Sequence, residues 1–71
     1  MVAKNSKGVF LFLNEGDGYG DFIRYFYTTS ECADFFDCEI DYINHVIWLN
    51  HKIRKDGVWY RLYRGPHYDR K

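Results

Sequence analysis

The apolar positions change period along the chain, and the changes mark the elements. Val9-Phe10-Leu11-Phe12-Leu13 is an unbroken apolar run, too short for a helix, and predicts a strand. Asn14-Glu15-Gly16-Asp17-Gly18-Tyr19-Gly20 follows as a glycine-rich turn, and Phe22 to Tyr27 predicts a second strand interrupted by Arg24. Thr28-Thr29-Ser30-Glu31 predicts a helix start, with hydroxyl caps before a carboxylate that favours the positive helix N-terminus. The first helix runs to about Phe36, Asp37-Cys38-Glu39 is the break, and a second helix runs from about Ile40 to Asn50. Ile43, Val46 and Ile47 recur at spacings of three and four, so they form one buried stripe. Lys52-Ile53-Arg54, Lys55-Asp56-Gly57 and Val58 to Tyr63 then predict strand, turn and strand, with Asp56-Gly57 as a strong hairpin signal. Gly65-Pro66 stops that strand.

The expected fold is therefore α+β in the order β-β-α-α-β-β. Two hairpins form a small antiparallel sheet against a helix-turn-helix pair. A single domain spans 8–64, and 1–7 and 65–71 are expected as flexible tails.

A chain of 71 residues is one domain and buries only roughly 60% of its unfolded surface, so its core must be dense in large apolar groups. Six Phe, seven Tyr and two Trp meet that need, and disorder is not expected between Val9 and Tyr63. No apolar run reaches the roughly 18 residues that span a membrane, and the first residues lack the apolar core of a signal peptide. Two cysteines six residues apart make no disulfide framework, which points to a reducing, cytoplasmic setting.

Zero formal net charge gives no general affinity for nucleic acid, but the charge is unevenly spread. Glu31, Asp34, Asp37, Glu39 and Asp41 form an acidic middle without a base. Lys52, Arg54, Lys55, Arg61 and Arg64 lie in a basic C-terminal part.

The segment 29–48 carries a more specific signal. Ala33 stands where a helix-turn-helix needs a small residue at the helix crossing, and Asp37 falls at the turn, where a left-handed backbone is usual and Asp tolerates it. Cys32, Phe36, Cys38, Ile43 and Val46 complete a buried set. With Thr29-Ser30-Glu31 before it and Gly57-Val58-Trp59-Tyr60-Arg61 after it, residues 19–64 resemble the small helix-turn-helix modules carried by phages of Gram-positive bacteria and by intron-encoded homing endonucleases. The resemblance implies a hairpin, a capped helix, a turn, a second helix and a final aromatic strand, acting on DNA in the cytoplasm of a bacterial host.

One stretch departs from that pattern. The second helix of those modules opens with Ser, Thr, Lys or Arg toward DNA, whereas here it opens with Glu39-Ile40-Asp41-Tyr42. Carboxylates cap a helix well but repel phosphate. Asn44 has the chemistry to read an adenine edge, and Glu39 to accept from cytosine N4, yet both need cationic anchors nearby. Lys52, Arg54 and Lys55 are the obvious anchors, as a wing with Arg61 and Arg64 beside them. Alternation also puts Trp59, Arg61 and Tyr63 on one face of the last strand, a stripe that either stacks unpaired bases, anchors a protein partner, or merely covers the back of a thin sheet.

Other chemistry fits less well. Cys32, Cys38, His45 and His51 are legitimate zinc ligands but lack the close pairing of structural sites, so no metal and no cofactor is expected. Neither cysteine has a basic neighbour in sequence to activate it, Glu31 with Asp34 reads as a solvated helix face, and Gly16 to Gly20 joins strands instead of opening a helix, so no enzyme is expected. Two functions of different classes remain. The first is a nucleic-acid module binding DNA or RNA through Lys52, Arg54, Lys55, Trp59, Arg61, Tyr63 and Asn44. The second is a protein-directed phage inhibitor of the anti-CRISPR kind, in which Glu31, Asp34, Asp37, Glu39, Asp41 and Tyr42 occupy the nucleic-acid-binding surface of a host protein.

Overall fold

The first strand, β1 (Lys7–Glu15), alternates cleanly: Val9 and Leu11 are wholly buried, while Phe10 and Phe12 point to the other side of the sheet. The computed structural model describes residues 7–66, with side chains from 8 to 65. β2 (Gly18–Phe26), α1 (Thr29–Phe36), α2 (Ile40–Leu49), β3 (Lys52–Lys55) and β4 (Val58–Pro66) follow. The strands form one antiparallel sheet in the order β2-β1-β4-β3, so the two hairpins join through β1 and β4. The α+β order expected from the sequence is the order found.

Two boundaries differ from the expected ones. The β1–β2 turn is confined to Gly16-Asp17, because pairing continues to Glu15↔Gly18. Gly16 takes a φ of 59°, which a glycine at the first central position of a tight hairpin supplies without strain. Gly65-Pro66 does not stop β4: that strand runs on to pair Pro66 with Lys7, since β1 offers it a partner. Residues 1–6 and 67–71 of the expected tails lie outside the described residues. In the second hairpin Asp56 and Gly57 both have positive φ, as an Asp-Gly turn requires.

The helices are set by their ends. Thr28 caps α1, its Oγ1 accepting from the Glu31 amide at 3.1 Å, and the Glu31 carboxylate accepts from the Tyr27 amide at 3.1 Å. α1 ends with Asp37 in the left-handed region, and the Cys38 amide donates back to the Ala33 carbonyl. α2 ends the same way on Asn50, with the His51 amide returning to Val46. Only the residues 37–39 separate the helices, so the chain must turn sharply between them.

Both helices pack on one face of the sheet. Val9, Leu11, Phe26, Ile53 and Leu62 from the strands meet Cys32, Ala33, Ile43 and Val46 from the helices, and Phe35, Phe36, Cys38, Ile47 and Tyr60 close the margin. The expected meeting of Ala33, Phe36, Ile43 and Val46 beneath a shared sheet is what the packing contains.

Candidate functional site

The face of the sheet opposite the helices carries a cluster of aromatic side chains. Phe10 and Phe12 come from β1, Tyr19, Phe22 and Tyr25 from β2, and Tyr63 from β4. Their rings touch in a chain: Phe10 lies 4.6 Å from Tyr25 and 6.2 Å from Tyr63, and Phe12 lies 5.1 Å from Tyr19 and 5.6 Å from Phe22. Tyr19, Phe22, Trp59 and Tyr63 are each about half exposed.

Simple alternation along β2 does not predict this surface. Between Leu11↔Arg24 and Phe12↔Phe22, β1 advances one residue and β2 two; between Phe12↔Phe22 and Asn14↔Tyr19, β1 advances two and β2 three. Each extra residue on β2 is a bulge, and each bulge shifts the alternation by one. The even-numbered Phe22 and the odd-numbered Tyr19 and Tyr25 thereby share one face.

Trp59 stands at the β3 side of this face. The Lys52 ammonium lies 4.9 Å from the centre of its ring and the Arg54 guanidinium 5.7 Å. β3 pairs Arg54 with Trp59 and Lys52 with Arg61, which fixes both cations on the aromatic side. The structure thus brings together Lys52, Arg54, Trp59, Arg61 and Tyr63, as alternation on β4 requires.

It separates Lys55 from that group. Lys55 shares the parity of the buried Ile53, so its ammonium lies over Phe35 of α1 at 5.2 Å and 3.6 Å from the Asp56 carboxylate. Arg64 also turns to the helix side, donating to Asn44 Oδ1 at 2.6 Å. Asn44, the expected base reader, is therefore held by a strand residue instead of standing alone on its helix.

Arg61 is a brace. Its Nε donates to Asn14 Oδ1 at 2.8 Å, and another guanidinium nitrogen donates to the Asn50 carbonyl at 3.1 Å. Tyr19 lies across the guanidinium at 5.9 Å, and its hydroxyl donates to Asn50 Oδ1 at 3.1 Å. Beside this brace the face is indented. A 260 Å³ notch is lined by Phe12, Tyr19 and Tyr63. It adjoins a 340 Å³ cavity that shares Tyr19 and Tyr63 and continues to Ile47, Asn50, Leu62 and Arg64.

The helical layer has the opposite chemistry. Glu31, Asp34, Asp37, Glu39, Asp41 and Tyr42 are all exposed there, and α1 and α2 carry no Lys or Arg. Sequence reasoning missed Trp48, which is 82% exposed. At 100° per residue it shares an outward line with Asp41 and His45, opposite the buried Ile43 and Val46. A helical projection of 40–49 exposes that line.

The cysteine thiols are held protonated. Burial, then the nearby Cys38, pushes Cys32 up to about 12, against a weaker pull from Arg64 and Arg24. Burial, then Asp37 and Glu39, raises Cys38. Among the described residues no group of three His, Cys, Asp or Glu side chains is placed to hold a metal, and no helix is long and apolar enough to cross a membrane. The chain matches no family model, and no curated protein or solved structure is significantly similar to it.

Proposed function

We propose that this domain is a non-enzymatic binding module that takes nucleic acid on the sheet face opposite its helices. One observation carries the reading: Lys52 and Arg54 are exposed over Trp59, on the sheet face that also carries the ring cluster of Phe10, Phe12, Tyr19, Phe22, Tyr25 and Tyr63. Aromatic rings supply base contacts and flanking cations supply phosphate contacts, the pairing that sequence-tolerant nucleic-acid binding uses. The helix-turn-helix geometry supports it less, because α2 presents Asp41, His45 and Trp48 outward and its Asn44 is bonded to Arg64.

The test is a fluorescence anisotropy titration of labelled DNA and RNA at several salt concentrations. Replacing Lys52 and Arg54 together with Gln should weaken binding and flatten the salt slope by roughly 0.7–0.9 per lost phosphate contact. Lys55→Gln, on the other face, should change the slope little. Equal loss from Lys55 and from the Lys52-Arg54 pair would contradict the placement of the site.

A second reading rests on Trp48. A tryptophan this exposed, on a helical layer bearing Glu31, Asp34, Asp37, Glu39 and Asp41, suits a basic protein surface with an apolar pocket, since Trp is a frequent interface anchor. That is the inhibitor function. Reversing Glu39 and Asp41 to Lys would abolish it, while sheet-face binding should respond less, because the two residues lie on the opposite layer and salt screens their charge.

A further inference from the structure

We infer that the ligand class of the sheet face is single-stranded nucleic acid: one base seats in the notch between Phe12, Tyr19 and Tyr63, its phosphate turns toward Arg64 in the adjoining cavity, and the strand continues to Trp59. This rests on the nucleic-acid reading and narrows it.

Three features carry the inference. The notch is walled by rings alone, and the neighbouring cavity, which passes Tyr19 and Tyr63 toward the helix side, is lined by Ile47, Asn50, Leu62 and Arg64. An apolar slot opening beside a guanidinium has the polarity of a nucleotide, base on one side and phosphate on the other. Arg64 uses one nitrogen on Asn44, and a guanidinium has five N–H donors.

Spacing then excludes a stacked duplex. Trp59 and Tyr63 are four residues apart on β4, which is about 13 Å along the strand. Adjacent duplex bases are 3.4 Å apart and show their faces to one another, so a duplex cannot lay bases on both rings. An unstacked strand can. Duplex DNA would meet this surface only with its backbone, and an aromatic face has little to offer phosphates.

Charge favours a polyanion on this face, whose cations are Lys52, Arg54 and Arg61. The polyanionic strand is complementary to the same groups.

Arg61 is a positioning residue in this arrangement. Its bonds to Asn14 and Asn50, with Tyr19 across it, keep the notch wall upright before a ligand arrives. Preformed walls spare the ordering cost that a flexible site has to meet on binding.

The experiment compares a labelled oligodeoxythymidine, an oligouridine of the same length and the deoxythymidine strand annealed to its complement. The single strands should bind at least about tenfold more tightly than the duplex. Trp59→Leu and Tyr63→Leu, which keep apolar cover but remove the rings, should each lower single-strand affinity by on the order of tenfold. In the unaltered protein, NMR ring resonances of Phe12, Tyr19, Tyr63 and Trp59 should shift on adding the oligonucleotide, a measurement that does not depend on the variants folding. The two single strands separate RNA from DNA as the source.

Equal affinity for duplex and single strand, lost on Lys52 and Arg54 substitution but not on loss of the rings, would overturn the inference and leave the nucleic-acid reading standing. No binding to any oligonucleotide would overturn both. Ring shifts that appear on raising protein concentration alone, with a dimer in sedimentation, would assign the face to a second copy instead.

Discussion

Arg64 of β4 donates to Oδ1 of Asn44 at 2.6 Å, tying the last strand to the exposed side of α2. The residue with the best base-reading chemistry on the second helix is thus part of the fold's own wiring. Asn44→Ala should lower stability by up to about 1 kcal/mol, the worth of one charge-assisted bond near the surface. Oligonucleotide affinity should stay within a factor of two to three of the unaltered protein. A collapse of affinity with full retention of thermal stability would return Asn44 to the binding surface.

The crossing of the helices depends on Ala33. It is 3% exposed, its carbonyl accepts from the Cys38 amide, and the chain has only residues 37–39 in which to reverse. Ala33→Leu should overpack the crossing and cost about 1–3 kcal/mol, visible as a melting temperature lower by roughly 4 °C or more. Unchanged thermal unfolding would show that the helices have room there.

Much of this was legible in the sequence because local chemistry agreed with tertiary packing. Thr28 to Glu31, Asp37 and Asp56-Gly57 each need a particular backbone, and each has it. The Trp59-Arg61-Tyr63 stripe on the face opposite the helices followed from a period of two. What alternation could not give was the contribution of β2, since two bulges shift its faces and depend on pairing with β1. The separation of Lys55 from Lys52 and Arg54 was legible in principle. It follows from the same parity, but grouping charges by sequence proximity hid it. The brace between Asn14, Arg61 and Asn50 joins residues far apart in the chain and leaves no local pattern.

One end of the aromatic face is built on glycine. Gly8 pairs directly with Gly65; a Cβ at Gly8 would fall on the Tyr25 ring, and one at Gly65 would come within 3.0 Å of Phe10. Gly8→Val would also meet the Phe26 backbone carbonyl, so it should displace both Tyr25 and the β1–β2 pairing and lower stability by about 1–3 kcal/mol or more. Near-ultraviolet circular dichroism should change with it, because the Tyr25 ring packs against Phe10. An unaltered spectrum would show that the ring does not lie over the glycine.

The cysteines predict an alkaline effect with a definite sign. The folded chain holds Cys32 protonated up to about 12, whereas an unfolded thiol has the ordinary value of 9.0. Above pH 9 the unfolded state loses a proton that the folded state keeps, so stability falls as pH rises from 9 toward 12, by at most about 1.4 kcal/mol per unit from this group. Urea unfolding between pH 7 and 10.5 should show a steeper loss in the unaltered protein than in Cys32→Ala. Equal slopes would mean that Cys32 is not protected. Thiol reagents should modify the partly exposed Cys38 first and Cys32 only on unfolding.

The two tryptophans offer the most direct test of the binding face, because Trp59 lies on the sheet face and Trp48 on the outward line of α2. With Trp48→Phe, Trp59 is the sole tryptophan; with Trp59→Phe, Trp48 is. Titrating each protein with unlabelled oligodeoxythymidine and following tryptophan emission separates the surfaces in one measurement. The sheet-face account predicts saturable quenching of Trp59, as bases stack on its ring, and an unchanged Trp48 signal. Quenching of Trp48 with a silent Trp59 would place the ligand on the helical layer and contradict it.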